Sequence, residues 1–109
     1  MSDTGVLLVL CTVPDREVGQ RIGHALVEGH LAACVNVLPA VHSIHRWQGA
    51  VESAEECLLL VKTTRERFGA LRDAIVAAHP YELPEVIAVP ITHGLPRYLD
   101  WIGAETGAA

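Results

Sequence analysis

VLLVLCTV, residues 6–13, is short, rich in branched aliphatic side chains, and free of polar residues on either alternation from Val6 to Cys11. A strand with one wet face alternates apolar with polar residues, so this pattern predicts a strand buried on both sides. Leu58-Leu59-Leu60-Val61 carries the same pattern and the same prediction.

Working outward, Pro14-Asp15 closes the first strand, and Val18, Ile22, Ala25 and Leu26 recur at helical spacing up to a stop at Gly29. Asp15 and Glu17 suit the positive end of that helix. Leu31 to Ile44 reads as a long extended stretch interrupted at Pro39, and Arg46-Trp47-Gln48-Gly49-Ala50-Val51 reads as a hairpin turn leading to the strand at Leu58. Thr63-x-x-Glu66 fits a capping box that opens a second helix with the stripe Phe68, Leu71, Ile75 and Ala78. His79-Pro80 ends it, because proline pushes the preceding residue out of the α region. Glu85 to Ile91 is expected to form the fourth strand. A short helix from Pro96 follows, with Tyr98, Trp101 and Ile102 on one side and a fraying tail after Gly103. The order βαββαβ plus a terminal helix predicts an α+β fold over residues 1–109: a single ferredoxin-like (split βαβ) sandwich, with one antiparallel sheet and two helices on one face.

The two helices cover one side of that sheet, yet the strands show no wet alternation for the other. With 109 residues there is no spare element to cover it, and charged residues are only 19% of the chain against about 25% in ordinary domains. Covering roughly 600 Å² of apolar face is worth on the order of 15 kcal/mol before the costs of association, so self-association through the open face is expected. A net charge of −5 and the lack of any Lys/Arg cluster argue against nucleic acid as a partner. The longest apolar run falls far short of the roughly 20 residues of a membrane span, and Met1 to Gly5 lacks the basic residues of a signal peptide. Three cysteines, Cys11, Cys34 and Cys57, with no Cys-x-x-Cys, fit a reducing cytoplasm.

Six blocks in order carry a resemblance. They are Val9-Leu10-Cys11-Thr12-Val13-Pro14-Asp15, Leu31-Ala32-Ala33-Cys34-Val35-Asn36, Ser43-Ile44-His45-Arg46-Trp47-Gln48-Gly49, Leu60-Val61-Lys62-Thr63, His79-Pro80-Tyr81-Glu82-Leu83-Pro84-Glu85, and Tyr98-Leu99-x-Trp101. From Val6 to Ile102 the chain resembles the divalent-cation tolerance proteins, the CutA family. The resemblance implies a homotrimer of ferredoxin-like subunits similar in architecture to the PII signalling proteins. It also implies a cytoplasmic location, a link to metal tolerance, copper binding in some members, and no established catalysis.

Cys11 and His79 are the candidate metal ligands. In a sheet of order 4-1-3-2, the end of the first strand, the end of the second helix and the start of the fourth strand share one edge. A thiolate and an imidazole there suit copper, or zinc as the alternative. The resemblance points to the same cysteine and to histidines near His79, but Ala78 stands where some members carry a second histidine, and His45 stands where the family usually has tyrosine. Two ligands need help from water or a neighbouring subunit. Cys34 and Cys57 are expected to pack, and His24 and His30 to be solvated. His42 and His45, three apart on a strand, face opposite ways, as do Glu55 and Glu56. Trp47 is the first candidate anchor for a neighbouring subunit, and Glu85 could cap, pair with Lys62 or line an intersubunit cleft. The Thr12-to-Arg16 junction offers only the weak anion site of any helix start. No phosphate-binding glycine motif and no nucleophile with a base is present, so an enzyme is not expected. The alternative readings are a PII-like trimeric sensor binding a small anion or nucleotide at intersubunit clefts, and an assembly module with no small ligand.

Overall fold

The computed structural model describes residues 3–107. Its elements are β1 (Val6–Val13), α1 (Arg16–Glu28), β2 (Cys34–Trp47), β3 (Ala50–Thr64), α2 (Phe68–Ala78), β4 (Ile87–Pro90) and α3 (Pro96–Glu105). The four strands form one antiparallel sheet in the order β2-β3-β1-β4. This is the expected α+β ferredoxin-like arrangement, with the two doubly apolar strands in the middle.

Strand alternation sorts the core. Val9, Cys11 and Val13 of β1 and Cys57, Leu59 and Val61 of β3 are buried with Ile22 and Leu26 of α1 and Leu71 and Ile75 of α2. The opposite parity leaves Leu8, Leu10, Leu58 and Leu60 only half-buried, and Leu38, Ile87 and Val89 exposed on the same side. Oily side chains therefore line both faces; α1 and α2 cover one, and on the other α3 packs only at the Val6 end, through Ile102.

Local chemistry sets the ends. Asp15 caps α1, its carboxylate accepting the Val18 N–H at 2.9 Å. Gln48 (φ 48°) and Gly49 (φ 84°) both take left-handed backbone, the requirement of a two-residue primed turn between β2 and β3. β1 pairs with β3 only as far as Cys57, so the part of the hairpin beyond it projects from the sheet. At the base of that arm, Pro39 and Ala40 (φ 62°) sit in a bulge between Leu38 and Val41.

Four expectations need correction. β2 begins at Cys34 and runs on to Trp47, because its pairing with β3 continues through the bulge. The Thr63/Glu66 capping box does not form: Thr63 lies within β3, opposite Leu7, and its hydroxyl donates to Leu31 O at 2.6 Å. Instead α2 starts after a turn at residues 65–67, with Arg67 as a cap that supplies no side-chain bond. As far as Gly107 the tail does not fray: α3 runs to Glu105, and buried Thr106 accepts Arg67 Nε on its carbonyl at 2.7 Å, while residues 108 and 109 lie outside the described residues. On α3 only Ile102 is buried, against Val6 and Ala33, whereas Tyr98 and Trp101 stack on each other in the open with centroids 5.4 Å apart.

β4 is also shorter than expected, covering Ile87–Pro90. The β1–β4 register places Leu10 opposite Ile87, and Ile91 N–H bonds Val6 O, so the next hydrogen-bonded pair would be Thr12 with Glu85. Thr12 O is already taken by His79 Nε2 at 2.8 Å. Pairing stops there, and residues 80–86 leave the sheet edge.

Candidate functional site

The topology does bring Cys11 and His79 to one corner, and both address the same carbonyl. Cys11 Sγ approaches Thr12 O at 3.7 Å, and His79 Nε2 donates to it at 2.8 Å. The other ring nitrogen, Nδ1, accepts the Tyr81 N–H at 3.1 Å, which fixes the neutral Nε2–H tautomer. Tyr81 packs on the imidazole with centroids 4.6 Å apart. As folded, neither nitrogen of His79 has a free lone pair.

Cys11 is completely buried among the core aliphatics. Burial first, and then the negative charges of Glu85 and Glu56, push its thiol up to about 12. The thiol keeps its proton at neutral pH, and a protonated thiol is not a metal ligand. Among the described residues no three His, Cys, Asp or Glu side chains converge as a metal site. The pair as it stands does not fit a tightly held ion.

The other candidates sort cleanly. Cys34 is half-exposed on the open face, where Lys62 Nζ stands 3.7 Å from its sulfur and donates to Asn36 Oδ1 at 2.6 Å. Lys62 therefore engages β2 rather than Glu85. Cys57 packs in the core. His42 faces Glu55 at 3.7 Å and His45 faces Glu52 at 3.6 Å, on opposite sides of the hairpin. His30 adopts φ 59° just after α1, and its Nδ1 meets Glu105 O at 3.0 Å, tying α1 to the end of α3.

Sequence reading missed a groove of about 840 Å³ between the projecting hairpin and residues 80–85. One wall carries His45, Trp47, Glu52 and Glu56, and the other Tyr81, Glu82 and Glu85. Glu56 is only 6% exposed, and its Oε2 accepts the Tyr81 hydroxyl at 2.6 Å. Burial and that carboxylate together raise the Tyr81 phenol, so it remains a donor. The available signal was parity: Glu56 sits two residues before Leu58, and so faces the same side as Leu58 and Leu60.

Comparison with known proteins agrees with this architecture. A model of the family described as CutA1 divalent ion tolerance protein matches residues 7–105. The divalent-cation tolerance protein CutA of Thermus thermophilus is 52% identical over 100 residues, covering 92% of this chain and 97% of that one. The chloroplastic CutA of Arabidopsis thaliana is 42% identical over 100 residues, and the match covers 92% of this chain but 55% of that longer protein. The crystal structure of CutA from Xylella fastidiosa superposes with a TM-score of 0.92 at 44% identity, over 94% of this chain and 99% of that one.

Proposed function

Because the chain belongs to the CutA1 divalent ion tolerance family, we propose that it acts as a cytoplasmic homotrimer that engages divalent transition-metal ions, copper first and zinc second, without catalysing a reaction. The observation that carries the assembly is the uncovered sheet face: Leu8, Leu10, Leu58, Leu60, Ile87 and Val89 lie together with no helix over them. A contiguous apolar face of this kind on so small a subunit marks an interaction surface. Among the described residues no helix is long and apolar enough to cross a membrane.

Cys11 and His79 serve as ligands in this proposal only when the thiol loses its proton and His79 releases Thr12 or Tyr81. Glu85 and Glu56, whose charges add to the effect of burial in keeping the thiol protonated, also favour a cation beside it. Binding is therefore weak and tightens with pH, with water or a partner subunit completing the coordination. The groove gives no support to a small anion or nucleotide, since its walls carry four glutamates against the single guanidinium of Arg46.

Light scattering after size exclusion should give three times the subunit mass at micromolar concentration, and Leu60→Asp should reduce it. A monomeric wild type overturns the assembly. Calorimetric titration with Cu(II) and Zn(II) should show weaker binding for Cys11→Ser and for His79→Gln. Equal affinity in all three proteins retires this ligand pair.

A further inference from the structure

On the projecting hairpin, His42 stands directly opposite Glu55, and His45 directly opposite Glu52. Strand parity separates the two pairs. Glu52 has the parity of Glu56, Leu58 and Leu60, so His45 and Glu52 lie on the side that assembly withdraws from solvent. Glu55 has the parity of Cys57, Leu59 and Val61, so His42 and Glu55 lie on the side that carries α1 and α2, and neither lines the groove. The bulge at Pro39 and Ala40 is what aims His42 there. It shifts the register of β2 by one residue, so His42 faces away from the side that Cys34 and Asn36 face.

The pair on the helix side is open: the two side chains are 74% and 67% exposed, and His42 Nε2 stands 3.7 Å from Glu55 Oε2. That gap is too long for a hydrogen bond. It is close to the spacing an ion imposes, since a nitrogen and an oxygen held tetrahedrally at about 2.0–2.2 Å from one metal lie roughly 3.3–3.5 Å apart. A small rotation of either side chain closes the difference, and strand pairing already fixes the backbone beneath both. One imidazole with one carboxylate suits Zn(II) or Cu(II) over Mg(II) or Ca(II), which take oxygen ligands. Among the described residues no third His, Cys, Asp or Glu joins the pair, so water fills the remaining positions.

We propose that His42 and Glu55 form a surface chelate for a divalent transition-metal ion on the helix side of the hairpin, through His42 Nε2 and a Glu55 carboxylate oxygen. With two protein ligands and water, the site has low affinity and exchanges its ion with solvent. It is separate from Cys11 and His79: binding here needs no deprotonated thiol and breaks no hydrogen bond of the fold.

The test is calorimetric titration of the assembled protein with Zn(II) and with Mg(II), together with amide NMR spectra during substoichiometric addition of Cu(II). Zn(II) is expected to bind at submillimolar concentration, and Mg(II) not to bind. Paramagnetic Cu(II) should broaden the amides of residues 41–43 and of their partners 54–56. His42→Gln and Glu55→Gln each change only an exposed side chain; each should weaken Zn(II) binding about fivefold or more and abolish the broadening at the hairpin. Equal Zn(II) affinity in the wild type and both variants, or Mg(II) binding as tight as Zn(II), overturns the proposal. Broadening confined to the surroundings of Cys11 and His79 overturns this site alone and leaves the corner reading standing. No broadening and no Zn(II) heat at millimolar concentration shows an exposed ion pair only, and overturns it equally.

Discussion

Replacing Cys11 with alanine separates a core thiol from a thiolate held ready for metal, and pH is the variable that shows it. The sulfur is fully buried beside Val9, Val13 and Leu59, and burial, aided by Glu85 and Glu56, lifts the thiol from 9.0 to about 12. The unfolded chain releases this proton near 9, while the folded chain holds it until about 12. The stability attached to the protonated thiol is thus complete below about pH 9 and is lost as pH rises toward 12. The loss is about 1.4 kcal/mol per pH unit, on the order of 4 kcal/mol over the whole window. At neutral pH, Cys11→Ala should cost about 1–2 kcal/mol for the small cavity it leaves. Alanine has no proton to release, so that gap should close by about 2 kcal/mol, or reverse, between about pH 9 and pH 10.5. Urea unfolding of both proteins at one fixed protomer concentration measures it, and the lysines and tyrosines common to both cancel to first order. A gap that stays flat between about pH 8 and pH 10.5 refutes the buried-thiol account, as would thiolate ultraviolet absorbance from Cys11 in the folded protein near neutral pH.

Backbone chemistry gives three further predictions, all read by the same unfolding assay. A Cβ at Gly19 would meet side-chain atoms of Leu59, Val13 and Val37 at 3.2 Å each, so Gly19→Ala should destabilise by about 1–3 kcal/mol despite better helix propensity. Gly103 in α3 has nothing within 4 Å of that position, so Gly103→Ala should instead stabilise by about 0.5–1 kcal/mol, and a loss there would show the argument to be wrong. Ala40 is exposed and left-handed at the bulge, so Ala40→Gly should stabilise by up to about 1 kcal/mol, whereas Ala40→Val should destabilise.

Apolar patterning made the sheet readable, and side-chain commitment made part of the site unreadable. Val6 to Cys11 and Leu58 to Val61 declared central strands because no polar residue interrupts either alternation, and the order of the elements then placed them. The same topology correctly predicted that Cys11 and His79 share a corner. It could not show that Cys11 turns toward the helices while His79 spends both nitrogens on backbone groups, since those facts depend on hydrogen bonds made after folding. Thr63-x-x-Glu66 failed for a related reason: a capping box is a local pattern, and pairing of Thr63 with Leu7 across the sheet overrode it. The groove joins Glu56 to Tyr81 across 25 positions of sequence, a contact that no local spacing announces.

His79 links these observations mechanically. It holds Thr12 O one hydrogen-bonded pair beyond the end of the β1–β4 ladder, and the chain from Pro80 to Glu85, off the sheet edge, forms the second wall of the groove. Its Nδ1 also fixes Tyr81, whose hydroxyl positions the Glu56 carboxylate. A metal ion on Nε2 of His79 would take the place of Thr12 O, and one on Nδ1 would take the place of the Tyr81 N–H.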